Sequence, residues 1–367
     1  MTQASDSEPT RVAIVGHGAI AEIHAQAVRA IPHAMLVGVA GRNLKRTRSF
    51  AMQHSAEAFT DTETMVHSTR ADIVIVATPH PTHADIAIAA AAAKAHILVE
   101  KPLAVTTADC DRMIDAAASA GVTLGVVGQR RLLPAVVRMK SAIADGAIGK
   151  PILGSVTLLG WRDPDYYDSA GWRGTWQGEG GGVLVNQAVH HLDLLQWLMG
   201  PFDEVFGYWA NLNHPTIDVD DTAVAVLRGA DGRLASIVVS NSQHPGLHAR
   251  VLIHGDNGAS VGVQTDGGSM FVAGSTEMLE APYNHIWTVP GDEHLLATWR
   301  EKDEVSFSER DPIVHSIEMV IRDFITATRS GEPPAVSGHD GRGTVEIFEA
   351  IYRSTDERKP FPLSSAS

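Results

Sequence analysis

Cysteine is almost missing from this chain. Cys110 is the single one in 367 residues, which excludes an intrachain disulfide and any zinc site built on a cysteine cluster, and fits a reducing compartment. Basic residues are outnumbered. The 29 Lys and Arg stand against 43 Asp and Glu, a net charge of −14, so no nucleic-acid partner is expected. Residues 1–10 are polar and acidic, read as a flexible tail, and lack the apolar core of a signal peptide. The most apolar stretch, Ala84 to Val99, is broken by Asp85 and Lys94 and cannot span a membrane. A cytoplasmic location is therefore expected. The histidines form no ligand-spaced cluster, so no metal is expected, and His214 and His244 read as loop residues. What remains is a chain 44% hydrophobic and 20% charged, with the length and core of a soluble two-domain protein.

The first half alternates strands and helices. Arg11 to Val15 reads as a buried strand, followed by Gly16-His17-Gly18-Ala19-Ile20-Ala21 and a helical stretch to Ala30. A G-x-G-x-x-A turn between strand and helix suits a dinucleotide. Gly16 permits the tight turn, Gly18 the close approach of a pyrophosphate, and Ala21 the packing of helix on strand. Ala19 and Ile20 supply N–H groups of the helix start. Further strands are expected at Met35–Ala40, Asp72–Ala77, His96–Val99 and Leu124–Val127, giving a doubly wound parallel sheet over residues 11–129. Ligands bind at the carboxyl ends of such strands, where Gly16, Arg42, Thr78 and Lys101 stand. The second strand runs into Gly41-Arg42-Asn43-Leu44-Lys45-Arg46, without the carboxylate that holds a ribose 2′-hydroxyl. Gly41, Arg42 and Arg46 are thus candidates for a 2′-phosphate pocket, and NADP is expected over NAD. A solvated helix start explains the same cations.

Further on, Gly180-Gly181-Gly182 opens a helical pattern in which Leu184, Ala188, Leu192 and Leu195 share an apolar face. Asn186, His190 and Asp193 fall four and three residues apart, on one other side. An amide, an imidazole and a carboxylate on one stripe suit a reaction centre; a capped core helix whose His donates to its own Asp fits the spacing too. His191 is the competing histidine, but at 100° per residue it cannot face the same way as His190. The rest of residues 130–362 reads as a second domain: a linking helix from Arg130 to Ala144, then many strand-like runs with Gly, Asn and Asp between them, as in an open, mainly antiparallel sheet.

G-H-G-A-I-A after the first strand, A-T-P-x-x-x-H from Ala77 to His83, E-K-P at Glu100 to Pro102, and G-G-G-x-x-x-N-x-x-x-H-x-x-D from Gly180 together resemble the Gfo/Idh/MocA oxidoreductases over residues 11–362. The resemblance implies a Rossmann domain followed by an α+β domain with an open sheet, homo-oligomers through that sheet, and hydride transfer between NAD(P) and a carbinol carbon of a sugar, cyclitol or related ring. It implies His190 as acid/base, Lys101 as the cation polarising the hydroxyl, Asn186 and Asp193 beside them, and Thr78, Pro79, His83, Glu100, Trp172 and Arg173 around the cofactor. One departure stands out: many members carry Asp where this chain has Asn186, and an amide cannot raise a neighbouring histidine's pKa by charge. Two other activities known in the family, glycosidic cleavage through transient oxidation and non-catalytic dinucleotide sensing, are the alternatives; Lys101 together with His190 argues against the sensor.

For the substrate, aromatic faces with a few charges suit a ring. The segment Trp161 to Tyr167 offers Arg162, Tyr166 and Tyr167, and Arg131 joins them. Arg162 or Arg131 would grip a carboxylate bidentately.

Overall fold

The computed structural model describes residues 8–267, 280–292 and 294–364. The tail expected over residues 1–10 therefore lies largely outside the described residues, and Thr10 already belongs to the first strand. Two compact units divide the chain. The first takes residues up to 104, 108–129 and 313–341; the second takes 105–107, 130–312 and 342 onward.

In chain order the first unit begins β1 (Thr10–Val15), α1 (Ala19–Ala30), β2 (Ala34–Ala40), α2 (Leu44–Gln53), β3 (Glu57–Phe59), α3 (Thr62–Thr69), β4 (Ile73–Val76), α4 (His83–Ala92), β5 (His96–Val99), α5 (Thr107–Ala120) and β6 (Leu124–Val126). All six strands run parallel in the order β3-β2-β1-β4-β5-β6. The strands are continuous apolar runs because both sheet faces are covered: Val12, Ile14, Ile73, Ile75, Ile97 and Leu98 are buried. The strand order reverses between β1 and β4, which is where such sheets open a ligand crevice.

The second unit follows as α6 (Pro134–Ala144), β7 (Pro151–Leu159), α7 (Pro164–Asp168), α8 (Trp176–Glu179), a π-helical turn (Leu184–Ala188), α9 (Val189–Met199), then β8 (Glu204–Ala210), β9 (Thr222–Arg228), β10 (Leu234–Ser240), β11 (His248–Gly255), β12 (Ser260–Gly267), β13 (Tyr283–Trp287) and α10 (Leu295–Ser308). After α11 (Pro312–Ser330) and α12 (Gly338–Glu357), β14 (Phe361–Pro362) closes the sheet. The order is β13-β12-β11-β7-β10-β9-β8-β14, antiparallel except between β7 and β10. Alternate residues point inward: Val156, Leu158, Ile237, Val239, Val251 and Ile253 are buried. Helix α9 lies on that face at Gly154, where a Cβ would come within 2.2 Å of Met199 Sδ.

Three differences from the sequence reading have physical causes. The linking helix starts at Pro134, not Arg130, because the residue before a proline is held extended and Leu133 is so. Residues 313–341, read as part of the second domain, belong to the first unit. They complete the edge at β6, where Val126 N–H donates to Val336 O at 3.0 Å and Gly125 leaves the space that the Phe324 ring fills. The short β3 and the largely polar α10 carry too little apolar periodicity to mark them.

Candidate active site

In the first unit the turn after β1 is shaped by one forced glycine and one free one. Gly16 has φ +118°, and a Cβ on it would lie 2.2 Å from Ala77 O at the end of β4. Gly18 caps α1 with no side chain, and a Cβ there would meet nothing within 4 Å. Ala19 is exposed and Ile20 half-buried at this helix start, where the first N–H groups have no partner within the helix, an arrangement that fits a pyrophosphate. Ala21 is fully buried and serves the packing of α1.

At the end of β2, Asn43 caps α2 through the backbone N–H of Arg46. Arg42 and Arg46 are exposed, and no carboxylate ends the strand. Gly41 does not hold space for a phosphate, as the sequence suggested: a Cβ there would sit 2.6 Å from His17 Nδ1 and 2.7 Å from Thr47 Oγ1. That side is filled by the His17 ring, which burial and the nearby Arg46 charge hold below the ordinary histidine pKa.

The loops after β4 and β5 are braced from behind. His83 was expected at the cofactor, but it is 0% exposed and so cannot touch one. Its Nε2 lies 2.9 Å from Thr78 O and its Nδ1 3.0 Å from Pro102 O, tying the two loops together. Glu100 is likewise buried, with Oε1 2.8 Å from His24 Nε2. Burial pushes its carboxyl up, but the His24 bond and the charges of His24 and Lys101 hold it below the usual carboxylate range. Lys101, half-buried, follows directly, and Thr78 and Pro79 stay partly accessible.

In the second unit the three glycines pack; they do not open. A Cβ on Gly180 would strike Val105, one on Gly181 the Tyr352 hydroxyl, and one on Gly182 would sit 1.8 Å from Asp220 O. Asp220 gathers the start of the helix. Its carboxylate accepts from Gly182 N–H at 2.6 Å, Leu184 N–H at 2.9 Å and the Tyr352 hydroxyl at 2.7 Å, and its carbonyl from Val183 N–H at 2.9 Å. Burial raises the Asp220 carboxyl against the pull of these donors.

The helix is π-wound over Leu184–Ala188, which takes in Asn186, and regular over Val189–Met199, which carries His190 and Asp193. From Gly181 to Leu195 only Asn186 and His190 are not buried. Asp193 turns instead to Arg131, which it holds by two bonds of 2.9 and 2.6 Å. Arg131, a substrate candidate, is itself buried in that pair and against the Trp197 ring. His191 is 1% exposed, its Nε2 2.8 Å from Thr265 Oγ1. Burial and the Arg130 charge push it down to about 3, so it is neutral near pH 7.

Around Asn186 stand Tyr166, Gln187 and Glu179. The Asn186 amide donates to the Tyr166 hydroxyl at 2.9 Å and to Glu179 Oε1. Arg173 and Arg162 lie on the Tyr166 ring, 4.1 and 4.9 Å from its centre, and Arg173 also meets Trp172. Tyr167, the other candidate tyrosine, packs with Ile217 and Val219 and is a core residue. His214, read as a loop residue, is buried against Asp221 at 3.0 Å and the Arg162 carbonyl at 2.8 Å. Burial lowers its pKa, but these two acceptors outweigh it and hold it raised. The Asp220-Asp221 doublet and the acid before the glycine run were the available signals for Asp220, Asp221 and Glu179; nothing in their spacing distinguished them from solvated carboxylates. Among the described residues no group of His, Cys, Asp or Glu has the makings of a metal site, and no helix is long and apolar enough to cross a membrane.

Two family models match. Residues 10–127 match the oxidoreductase family with an NAD-binding Rossmann fold, and residues 136–261 the GFO/IDH/MocA C-terminal domain. The chain is similar to myo-inositol 2-dehydrogenase of Thermotoga maritima, 29% identical over 96% of this chain and 98% of that one. Inositol 2-dehydrogenase of Rubrobacter xylanophilus is 31% identical over 69% of this chain and 71% of that one. Among solved structures, the WlbA dehydrogenase from Bordetella pertussis in complex with NADH and UDP-GlcNAcA superimposes with a TM-score of 0.85, at 29% identity and 99% of both chains.

Proposed function

The chain belongs to the GFO/IDH/MocA family of oxidoreductases, and we propose that it oxidises a ring hydroxyl of a sugar or cyclitol, or reduces the corresponding ketone, with a nicotinamide cofactor. The observation that carries this is that Asn186 and His190 alone are not buried between Gly181 and Leu195. A bound nicotinamide supplies the hydride acceptor or donor. The protein's part is the proton. His190 takes the hydroxyl proton as hydride leaves carbon, because a positioned acid/base within reach of the hydroxyl lowers that barrier. The Lys101 ammonium offsets the charge that develops on oxygen. Trp172, Arg173, Thr78 and Pro79 are assigned to the cofactor and Tyr166 to the ring; Arg162, expected at the ring too, is buried and braces Tyr166 from behind.

The same reading includes a preference for NADP, supported by Arg42 and Arg46 at a β2 end with no carboxylate. It includes a homo-oligomer in the cytoplasm, joined through the outer face of the second sheet. That face exposes Leu153, Tyr208, Val224, Val226, Leu234 and Val238, and Val226→Asp should lower the mass measured by light scattering if it is buried between copies. The activity is tested with a panel of sugars, cyclitols and their acids against NAD and NADP, following the reduced cofactor's absorbance. Turnover of cyclic polyols is expected, and no turnover of any ring alcohol with either cofactor would overturn the reading.

A further inference from the structure

A buried carboxylate stands directly behind Asn186. Glu179 ends α8, one residue before the glycine run, and is 1% exposed. Its Oε2 accepts the Gly174 N–H at 2.7 Å and its Oε1 accepts from Asn186 Nδ2. An ionised carboxylate can only accept, so the branch of the amide that faces it must be the nitrogen. Oδ1 is thereby fixed on the other branch, as an acceptor. The Tyr166 hydroxyl meets the amide from a second side, 2.9 Å from Asn186 Nδ2 and 3.1 Å from Gln187 Nε2. Asn186 is half-exposed and Glu179 is not. The amide is therefore the outer end of a chain that begins at a buried charge.

We propose that Glu179 is a positioning residue for the reaction, its carboxylate holding the Asn186 amide so that Oδ1 receives the hydroxyl or imidazole N–H at the reacting centre. The inference rests on Asn186 and His190 being the residues that take substrate. A neutral partner could not enforce the orientation, because an amide facing an amide can reverse. A hydrogen bond to a charged acceptor is about twice as strong as a neutral one. Arg162 and Arg173 stand on the ring of Tyr166, whose hydroxyl meets the same amide.

The test is a double-mutant cycle on the full chain, using a polyol that the wild type oxidises. Glu179→Gln should lower kcat roughly tenfold, the effect of losing about one charge-assisted hydrogen bond, with KM changed less than threefold. Asn186→Asp sets two carboxylates in contact. It should lower both kcat and Tm at pH 8, with Tm recovering as the pH falls and the pair takes up a proton. Combining Glu179→Gln with Asn186→Asp restores one donor and one carboxylate, and should return Tm to near the wild-type value and raise kcat above that of Asn186→Asp alone. Glu179→Gln with unchanged kcat overturns the proposal. So does a double variant that recovers Tm while its kcat stays as low as that of Asn186→Asp, because the contact is then merely structural. A wild type that oxidises no ring alcohol overturns the functional reading beneath it, a result separate from either of these.

Discussion

At Gly18 an added Cβ would meet nothing within 4 Å, whereas at Gly182 it would sit 1.8 Å from Asp220 O. Both glycines lead into helices, yet they do opposite things. The turn at Gly18 leaves helix α1 without a side-chain cap, so its first N–H groups stay available to a ligand. The turn at Gly182 gives the N–H groups of residues 182–184 to Asp220. Nothing is left over there for a ligand; what the site gains is a fixed backbone under Asn186 and His190. One region binds by what it leaves unsatisfied, the other works because its backbone is fully satisfied.

The comparison is broken most severely at the side chain that the second region exists to hold. His190→Ala should lower kcat by roughly 10²–10⁴ with cofactor affinity nearly unchanged. Unchanged turnover would remove the assignment. His191→Gln, by contrast, should keep turnover and change the pH dependence of stability. His191 is depressed to about 3 in the folded chain, below its unfolded value near 6.5. Its stabilisation is therefore full above about pH 6.5 and is lost as the pH falls toward 3, by about 1.4 kcal/mol per pH unit. Denaturant unfolding between pH 7 and 4 should be less acid-sensitive in His191→Gln than in the wild type; identical slopes would mean that the folded histidine is already charged.

The bracing of the glycine run is probed by Tyr352→Phe, which removes one donor from the buried Asp220 carboxylate and should cost about 1–3 kcal/mol of stability. The loss should show in denaturant midpoints, and a wild-type midpoint would mean Asp220 needs no third donor. The smallest effect belongs to the open region. Arg42→Ala should reduce NADP affinity about tenfold and leave NAD nearly untouched, one charge-assisted contact being worth about 1.5 kcal/mol or more. Titrations of both cofactors at one ionic strength decide it. Equal losses for the two would show that Arg42 serves the adenine and not a 2′-phosphate.

Much of the first unit was legible in the chain because its signals are local. A parallel strand covered on both faces must be apolar throughout, and a strand-to-helix turn around a dinucleotide needs glycine at set steps, so Val12–Val15 and Gly16–Ala21 declare themselves. The open sheet was legible by the same rule, since alternation along β9 and β10 follows from one face being covered. The accessible pair Asn186 and His190 was found by helical spacing. The carboxylate at Asp193 was not separable from them in sequence, because its partner Arg131 arrives from a distant segment.

Tertiary structure alone decided the partners. Glu179 reaches Asn186, Asp193 reaches Arg131, Asp220 reaches Tyr352 and Asp221 reaches His214. Three of these acids look in sequence like solvated charges and Asp193 like a partner of His190, and each became a buried partner when its own segment was folded against another. The physical reason is that local sequence sets backbone propensity and which face is apolar, whereas burial of a charge is tolerated only where a partner arrives from elsewhere in the chain. The sequence by itself therefore determined where this protein would be apolar, where it would turn and which helix would carry the accessible side chains. Which carboxylates stand behind them was decided by the fold.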